Sequence, residues 1–278
     1  MDRRRFLKNS TQLSVVLTVR NALSTGETAA ASEQAMKTSS QQKSVTGIGL
    51  GERSISGMLV SLDGEWSLSI DPKNVGRTEE WFKGPLPEAK LARVPSVIQE
   101  VFPGYHGVVW YGRNFSAPLN PYSEGRHLLR FGAVDYLANV WLNGLHMGGH
   151  EGADTPFVLD VTDAIKPNES NVLVVRVLNP SDVRIDGIAL DETPHRNKSM
   201  KYVPGNSFNS GGIVDTVELI TVPGIWGENL HVLPDVKTGV VRIWINVRNR
   251  LQKTSRARLG FTMAASATGE AISALEVE

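Results

Sequence analysis

The residues that could do chemistry are few and scattered in this sequence. Its six histidines form no Ser/His/Asp order typical of a nucleophile relay and show no metal-site spacing. It has no cysteine, which excludes a disulfide framework, a thiolate metal site and a cysteine nucleophile. The Asn168-Glu169 pair lies within the stretch Lys166 to Asn171, whose composition predicts a turn. We therefore expect no catalytic residue, no metal and no cofactor on this chain.

The composition narrows the classes of ligand. The 278 residues suffice for one large or two modest domains, and 41% hydrophobic and 21% charged residues are ordinary for a globular protein. Twenty-nine basic residues balance 29 acidic ones, so no net field attracts nucleic acid or an acidic membrane. No apolar run approaches the length of a membrane span. Binding of a neutral ligand must therefore depend on local groups.

The N-terminus resembles an export signal. Arg3 to Lys8 fits the twin-arginine pattern, a mild apolar stretch follows from Leu13 to Val19, and three alanines, 29–31, offer a cleavage site. We expect residues 1–31 to be this signal and the protein to be periplasmic or secreted. The alternative is a basic, disordered tail, which the charge of Arg20 favours.

The rest of the chain has the pattern of strands. Residues 32–53 are rich in Ser, Gln, Lys, Thr and Gly, which predicts a disordered leader. Beyond Leu62, short alternating runs separated by Gly and Pro predict an antiparallel β-sandwich, and no long amphipathic helices alternate with them. Val172 to Val177 is apolar at nearly every position, as in a strand buried on both faces. Asn143-Gly144 between apolar runs predicts a hairpin tip.

A domain boundary is expected between Pro223 and Gly227. Beyond it, alternating residues predict about four strands, whereas an immunoglobulin-like sandwich needs about seven. We expect domains at 54–227 and 228–278, the second of them incomplete.

Five groups of residues follow one another along the first of these domains. They are Leu62-Asp63-Gly64-Glu65-Trp66; Val94-Pro95-Ser96 with His106 to Tyr111; Leu129 to Tyr136 with Val140 to Gly144; His150 to Phe157 with Asp160-Val161-Thr162; and Gly211-Gly212-Ile213 with Val217-Glu218-Leu219. In order and spacing they resemble the opening domain of family 2 glycoside hydrolases, the β-galactosidases, β-glucuronidases and β-mannosidases. Together these matches are far more specific than any one of them.

The resemblance implies a fold and a function. The fold is all-β: a galactose-binding-like jelly-roll β-sandwich followed by an incomplete immunoglobulin-like β-sandwich. The function is the non-catalytic, sugar-binding portion of an exported β-glycosidase, with carbohydrate as ligand and a missing or separate catalytic barrel as partner. Alternatives are a stand-alone carbohydrate-binding module or a structural assembly module, because family jelly rolls also form homo-oligomer contacts.

The resemblance also points to site residues. In the family a loop of this domain reaches the catalytic pocket with an Asp six residues before the Gly of a Gly-Ile pair, and here that position is Asn206. An amide can still donate to and accept from hydroxyls, but it brings no charge. A second family contact precedes the Trp-Tyr pair by four residues and corresponds to His106. The remaining candidates lie beside these two or in the loop after His150: Tyr105, Phe208, Asn209, Glu151 and Asp154.

Catalysis in the family depends on a part that we do not find in this sequence. Retaining glycosidases use two carboxyl groups about 5 Å apart, and family members supply both from a (β/α)8 barrel. One of them belongs to an Asn-Glu pair, and the single such pair here is the predicted turn at Asn168-Glu169. Hydrolysis is therefore not expected from this chain alone. Trp66, Trp141 and Phe157 are expected to be core aromatics with no chemical role.

Overall fold

The computed structural model describes residues 58–194, 197–201, 204–251 and 253–277, together with the backbone of residues 10–18. Most of the predicted signal and the whole of the predicted leader thus lie outside the described residues. Strands dominate, and no α-helix occurs among the described residues. The all-β prediction is confirmed.

Nineteen strands and three short 3-10 helices make up the described chain. The strands are β1 Ser10–Thr18, β2 Met58–Ser61, β3 Gly64–Ile70, β4 Lys90–Val94, β5 Gly107–Ser116, β6 Arg126–Phe131, β7 Val134–Asp135, β8 Leu137–Leu142, β9 Leu145–Glu151, β10 Phe157–Asp160, β11 Ser170–Asn179, β12 Lys198–Ser199, β13 Ser207–Phe208, β14 Gly212–Ile213, β15 Val217–Val222, β16 Ile225–Asp235, β17 Val240–Asn249, β18 Leu259–Ala264 and β19 Ala271–Val277. The 3-10 helices are Trp81–Lys83, Ile98–Glu100 and Leu190–Glu192.

The residues from Met58 to Gly224 form one compact unit with two principal sheets. One sheet has six strands in the order β4-β3-β5-β11-β8-β9, and the other has four in the order β10-β6-β15-β2. All the strand pairs within these two sheets are antiparallel. Two small ladders, β7 with β14 and β12 with β13, lie among the loops.

The main core combines apolar side chains from both sheets. Trp66 and Tyr111 from the six-stranded sheet meet edge to face at a centroid distance of 6.4 Å. They share the core with Phe131 and Leu219 of the four-stranded sheet, and all four residues are at most 1% exposed. The Trp66 indole donates to the carbonyl of Leu62 at 2.9 Å, so its polar atom is satisfied inside the core. Trp66 is thus a core aromatic, as predicted.

The opposite face of the six-stranded sheet has a smaller core of its own. Trp110 and Trp141 pack at a centroid distance of 5.3 Å, and Phe82 of the first 3-10 helix stacks on Trp141 at 5.4 Å. Because this second cluster covers the outer face, the central strand β11 is buried on both sides, with Leu173 to Asn179 at most 1% exposed. The continuous apolar pattern predicted this burial, which is confirmed.

One charge lies under that outer face. Arg176 of β11 has no exposed surface and donates to Asp186 and to Asn74, both at 2.7 Å. Arg77 makes a second ion pair with Asp186 at 3.1 Å. Burial alone would raise the pKa of Asp186, but the two arginines hold it below its usual range.

The β8–β9 hairpin turns at the predicted pair. Leu142 pairs with Leu145, which leaves Asn143 and Gly144 as a two-residue loop. Both have positive φ angles, 51° and 79°, which suit the right-handed twist of a two-residue hairpin. The hairpin prediction is confirmed.

The second compact unit contains the residues from Ile225 onward. Here β17 lies between β1 and β16 in a three-stranded antiparallel sheet, and β18 pairs with β19 in a separate hairpin. The sequence analysis assigned Ser10–Thr18 to a signal and did not predict its pairing with β17. Among the described residues, no helix is long and apolar enough to cross a membrane.

Candidate functional site

Two loops far apart in sequence are joined at one end of the sandwich. One precedes β5 and contains His106, and the other contains Asn206 and the short strand β13 and ends at β14. Backbone hydrogen bonds join them: the amide of Ile98 donates to the carbonyl of Gly211, and that of Ser96 donates to Ile213, at 2.8 and 2.9 Å. The two loops that the family resemblance singled out are therefore fixed side by side.

His106 lies at the junction of these loops. Its Nδ1 is 2.9 Å from the side-chain oxygen of Asn179, the last residue of β11. Its half-buried ring meets the ring of Phe208 edge to face at a centroid distance of 5.7 Å. Phe208 is 48% exposed, so an aromatic ring and an imidazole border the same surface.

Asn206 lies two residues before Phe208, at the entrance to β13. It is exposed, and its side chain makes no hydrogen bond to any of the described residues. The parallel pairing of β13 with β12, Ser207 beside Lys198 and Phe208 beside Ser199, fixes the backbone that presents it. Its free amide can donate to and accept from a ligand.

Asn209 has a different position from its neighbours in the loop. It is 1% exposed, its amide donates to the carbonyl of Pro180 at 2.6 Å, and its oxygen accepts from Asn179 at 3.2 Å. Burial and these bonds make it a support for the loop rather than an exposed ligand group.

Tyr105 is half-buried beside His106. Its hydroxyl donates to the carbonyl of Val108 at 2.8 Å. Burial, assisted by the charge of Asp71, raises the pKa of Tyr105 to about 12, so the hydroxyl keeps its proton at neutral pH. The ring lines an open groove with Lys90 and Phe102, whose own ring lies 4.5 Å from the Lys90 ammonium. Tyr105 can therefore offer a ring surface but not a free hydroxyl.

Glu151 is connected to the same end of the sandwich through a chain of contacts. It is exposed and accepts a hydrogen bond from the hydroxyl of Tyr136 at 2.9 Å. Burial, and then the bond to Glu151, raises the pKa of Tyr136 to about 12. The preceding residue, Asp135, pairs with Lys198, which also donates to the carbonyl of Ser210 at 3.0 Å. The loop that carries Glu151 is thus linked to the Asn206 loop.

The remaining residues of the loop after His150 belong to the hairpin. His150 bonds Thr155 at 2.8 Å and stacks on the half-buried Phe157 at 4.7 Å. Burial holds the pKa of His150 below its usual range, against a smaller opposing effect of Glu151. Asp154 is exposed and makes no side-chain hydrogen bond to the part of the chain that the structure describes.

Neither the Asn168-Glu169 pair nor a cluster of metal ligands forms a second candidate site among the described residues. Asn168 and Glu169 occupy an exposed turn between β10 and β11, where Asn168 has a φ of 59°, as the composition predicted. Across the described residues no group of three or more potential metal ligands comes together.

Gln99 and Asn179 are site residues that the sequence analysis missed. Gln99 donates to the carbonyl of Tyr105 at 2.8 Å and to the oxygen of Asn179 at 3.1 Å. Two weak signals could have identified them: a polar residue directly after the apolar pair 97–98, and an Asn-Pro pair at the end of a buried strand. Gln99 forms a surface of amides, imidazole and an aromatic ring with His106, Asn206 and Phe208, which suits a ligand rich in hydroxyls. Asn179 is fully buried and supports this surface from beneath.

The site thus lies on an antiparallel β-sandwich, at the end where two of its loops meet. Residues 97–223 match the family model described as "Glycosyl hydrolases family 2, sugar binding domain". The match includes both loops of the site. This stretch of the chain is thus similar to the sugar-binding domain of glycosyl hydrolase family 2.

Similar proteins agree with this assignment. The chain is 29% identical over 193 residues to a β-glucuronidase of Paenibacillus borealis and 29% identical over 210 residues to one of Rattus norvegicus, matches that cover 65% and 67% of this chain. The chain spans about one third of the length of these curated relatives, 32% in each case.

Solved structures share the fold. The crystal structure of Ruminococcus gnavus β-glucuronidase superposes with a TM-score of 0.62 at 23% identity, covering 82% of this chain and 38% of that one. The complex of that enzyme with D-glucaro 1,5-lactone gives the same TM-score and identity. At this identity the likeness establishes the fold alone, and the jelly-roll prediction is confirmed.

Proposed function

We propose that this chain is the non-catalytic, sugar-binding portion of an exported family 2 β-glycosidase. The observation that carries the proposal is the junction of the His106 and Asn206 loops. About 100 residues of sequence separate them, both lie within the stretch that matches the sugar-binding family model, and backbone hydrogen bonds join them. The hydrolytic carboxylates would come from a partner barrel, in the part of the relatives' length that this chain does not match.

The ligand proposed is a β-glycoside. The relatives are named β-glucuronidases, so a β-glucuronide belongs among the first ligands to test, with β-galactosides and β-mannosides of the wider family. A surface formed by two loops buries little of a sugar, and the sugar hydroxyls lose nearly as much to water as they gain. We expect an affinity in the millimolar range, corresponding to about 4 kcal/mol.

A binding experiment tests this proposal directly. The 15N-labelled full chain is titrated with methyl β-glycosides while amide shifts are recorded, and shifts are expected for residues 105–106 and 206–209. Asn206→Ala should weaken binding without unfolding the chain. Asn114→Ala is the matched control, because Asn114 is also exposed but lies towards the far end of β5, where it pairs with Val172 rather than lying near His106. Shifts spread evenly over the sandwich would contradict the proposed site.

The catalytic half of the proposal has its own assay. The purified chain should not cleave aryl β-galactosides, β-glucuronides or β-mannosides. Fusion to a family barrel should restore turnover, and Asn206→Ala in that fusion should lower kcat/KM. Turnover by the isolated chain, surviving removal of contaminating glycosidases, would show that the chemistry belongs to this chain instead.

The proposed export requires the N-terminal arginines to act as a twin-arginine signal. Replacing Arg3 and Arg4 with lysine should retain the protein in the cytoplasm, because twin-arginine export requires the arginine pair itself. Unchanged secretion of the double variant would favour a role as a basic tail.

A further inference from the structure

A chain of three side-chain amides, from Gln99 through Asn179 to Asn209, lies behind His106; we call it the amide relay. At its first end the Gln99 oxygen accepts from the backbone amide of Gly211 at 3.3 Å, and the Gln99 nitrogen donates to the carbonyl of Tyr105 at 2.8 Å. A backbone N–H can only donate and a carbonyl can only accept. The orientation of the Gln99 amide is therefore fixed by the main chain.

The orientations of the other two amides follow from the orientation of Gln99. The Gln99 nitrogen also donates to Asn179, so the atom of Asn179 facing it must be the oxygen. The nitrogen of Asn179 then donates to the oxygen of Asn209 at 3.2 Å. The nitrogen of Asn209 in turn donates to the carbonyl of Pro180 at 2.6 Å, a second main-chain anchor. Both ends give the same orientation, so no amide in the relay can turn over without losing hydrogen bonds.

The amide relay determines which nitrogen of His106 carries the proton. Nδ1 of His106 is 2.9 Å from the Asn179 oxygen, which can only accept. The Asn209 nitrogen has two N–H groups: one donates to the carbonyl of Pro180 at 2.6 Å, and the other faces both the Met200 sulfur at 3.5 Å and Nδ1 at 3.3 Å. Because the contact of Nδ1 with the Asn179 oxygen is 0.4 Å shorter than its contact with the Asn209 nitrogen, the oxygen decides the position of the proton. Nδ1 is therefore protonated, and in the neutral ring Nε2 bears a lone pair.

We infer that Asn179 is a positioning residue that makes Nε2 of His106 a hydrogen-bond acceptor for a sugar hydroxyl. Nε2 makes no hydrogen bond to the described residues, and His106 lies beside the exposed Phe208. An unprotonated Nε2 accepts a hydrogen bond from a hydroxyl but has no N–H to donate to a carboxylate. The inference rests on the proposed function, and it assigns a hydroxyl, not the carboxylate of a uronic acid, to this part of the surface.

The tautomer can be measured without any ligand. The full chain is labelled with 15N-histidine and studied at alkaline pH. The signals of His106 are identified by their loss in His106→Gln. We expect the proton on Nδ1 and the unprotonated nitrogen at Nε2. A ring protonated on Nε2 overturns the inference.

A matched pair of variants tests the amide relay. Asn179→Leu removes the acceptor for Nδ1 and should release the ring into a mixture of tautomers. Asn171→Leu is the control, because Asn171 is equally buried on the same strand, but its amide bonds Asn143 and Lys166, away from His106. The control should retain the wild-type tautomer. An unchanged ring in Asn179→Leu overturns the positioning role, and the wild-type spectrum decides the tautomer whether or not either variant folds.

The ligand is then tested with two probes, methyl β-D-glucopyranoside and D-glucuronic acid. The glucoside should shift Nε2 in the direction of an accepted hydrogen bond, and in Asn179→Leu its affinity should fall about fivefold, the size of one neutral hydrogen bond. Glucuronic acid should act on Nε2 through its hydroxyls, so its methyl ester should shift Nε2 equally. A shift that needs the free carboxylate overturns the hydroxyl assignment. A ring protonated on Nδ1 that responds to neither probe supports the amide relay and overturns the proposed function.

Discussion

The sandwich and the C-terminal strands have very different cores. Between Met58 and Gly224, two sheets enclose large side chains such as Trp66 and Phe131 at 1% exposure or less. From Ile225 onward, the buried apolar residues among those described are Trp226, Ile243 and Ile245, while Val236 is 92% exposed. Burial of apolar area is the main favourable contribution to folding. One chain thus combines a well-packed unit with a marginal one.

Hydrogen exchange should reveal the largest difference between the two units. Amides of β11 are hydrogen-bonded on both sides and buried on both faces, whereas β18 and β19 form a hairpin with alternating exposed residues. We expect β11 to exchange about a thousandfold more slowly, which corresponds to about 4 kcal/mol. Equal protection in the two units would refute the comparison.

Two tryptophans allow a matched test of the same contrast. Trp66→Ala should cost about 3–5 kcal/mol of unfolding free energy, because it leaves a large cavity in the main core. Trp244→Ala in β17 removes a half-buried ring packed on His231 and should cost roughly a third as much. Urea unfolding followed by circular dichroism measures both. Similar losses would show that the second unit is better packed than its exposure indicates.

Removal of the buried charge of the sandwich should have a smaller effect on the free energy of unfolding. Arg176→Ala leaves Asp186 without its closer partner, which should cost about 2 kcal/mol, because Arg77 and partial exposure still compensate the carboxylate. Arg184→Ala, which breaks an exposed pair with Glu192, is the control and should leave the urea midpoint unchanged. A neutral result for Arg176→Ala would mean that solvent already screens the pair.

The smallest expected effect is a dependence on pH. Because the pKa of His150 is lowered by burial, the folded chain binds fewer protons than the unfolded chain just below pH 6.5. Its contribution to stability is complete above about pH 6.5 and is lost as the pH falls towards the lowered pKa. His150→Phe should flatten this part of the stability profile, because it removes the group whose pKa burial lowers. A profile unchanged by His150→Phe would contradict the burial effect.

The sequence predicted features whose cause is local. The Asn143-Gly144 turn needs two positive φ angles, and β11 needs a run of apolar residues, so both leave a pattern in a few adjacent positions. The family resemblance likewise pointed to the loops of His106 and Asn206. The resemblance did not indicate which residues hold these loops in place, because Gln99, Asn179 and Asn209 come together only after the chain has folded. Pairwise contacts between distant residues have no signature in a single sequence.

Three further features illustrate the same limit. The apolar run at Leu13–Val19 indicates a signal, but the pairing of Ser10–Thr18 with β17 depends on residues more than 200 positions away. Arg176 interrupts an apolar strand and gives no hint of the carboxylate and amide that compensate it. Asn209 was assigned to the ligand surface because of its neighbours, yet its side chain turns inward.

The order of strands has a consequence for how the protein is made. Val60 lies beside Leu219, and Gly107 lies beside Asn179, so both sheets depend on partners that leave the ribosome late. At a synthesis rate of about 5–20 residues per second, β2 leaves the ribosome on the order of ten seconds before its partner β15. Contacts between such distant residues also slow folding itself. During that interval the early strands present open edges, and a cell producing this protein at high levels would depend on chaperones to protect them.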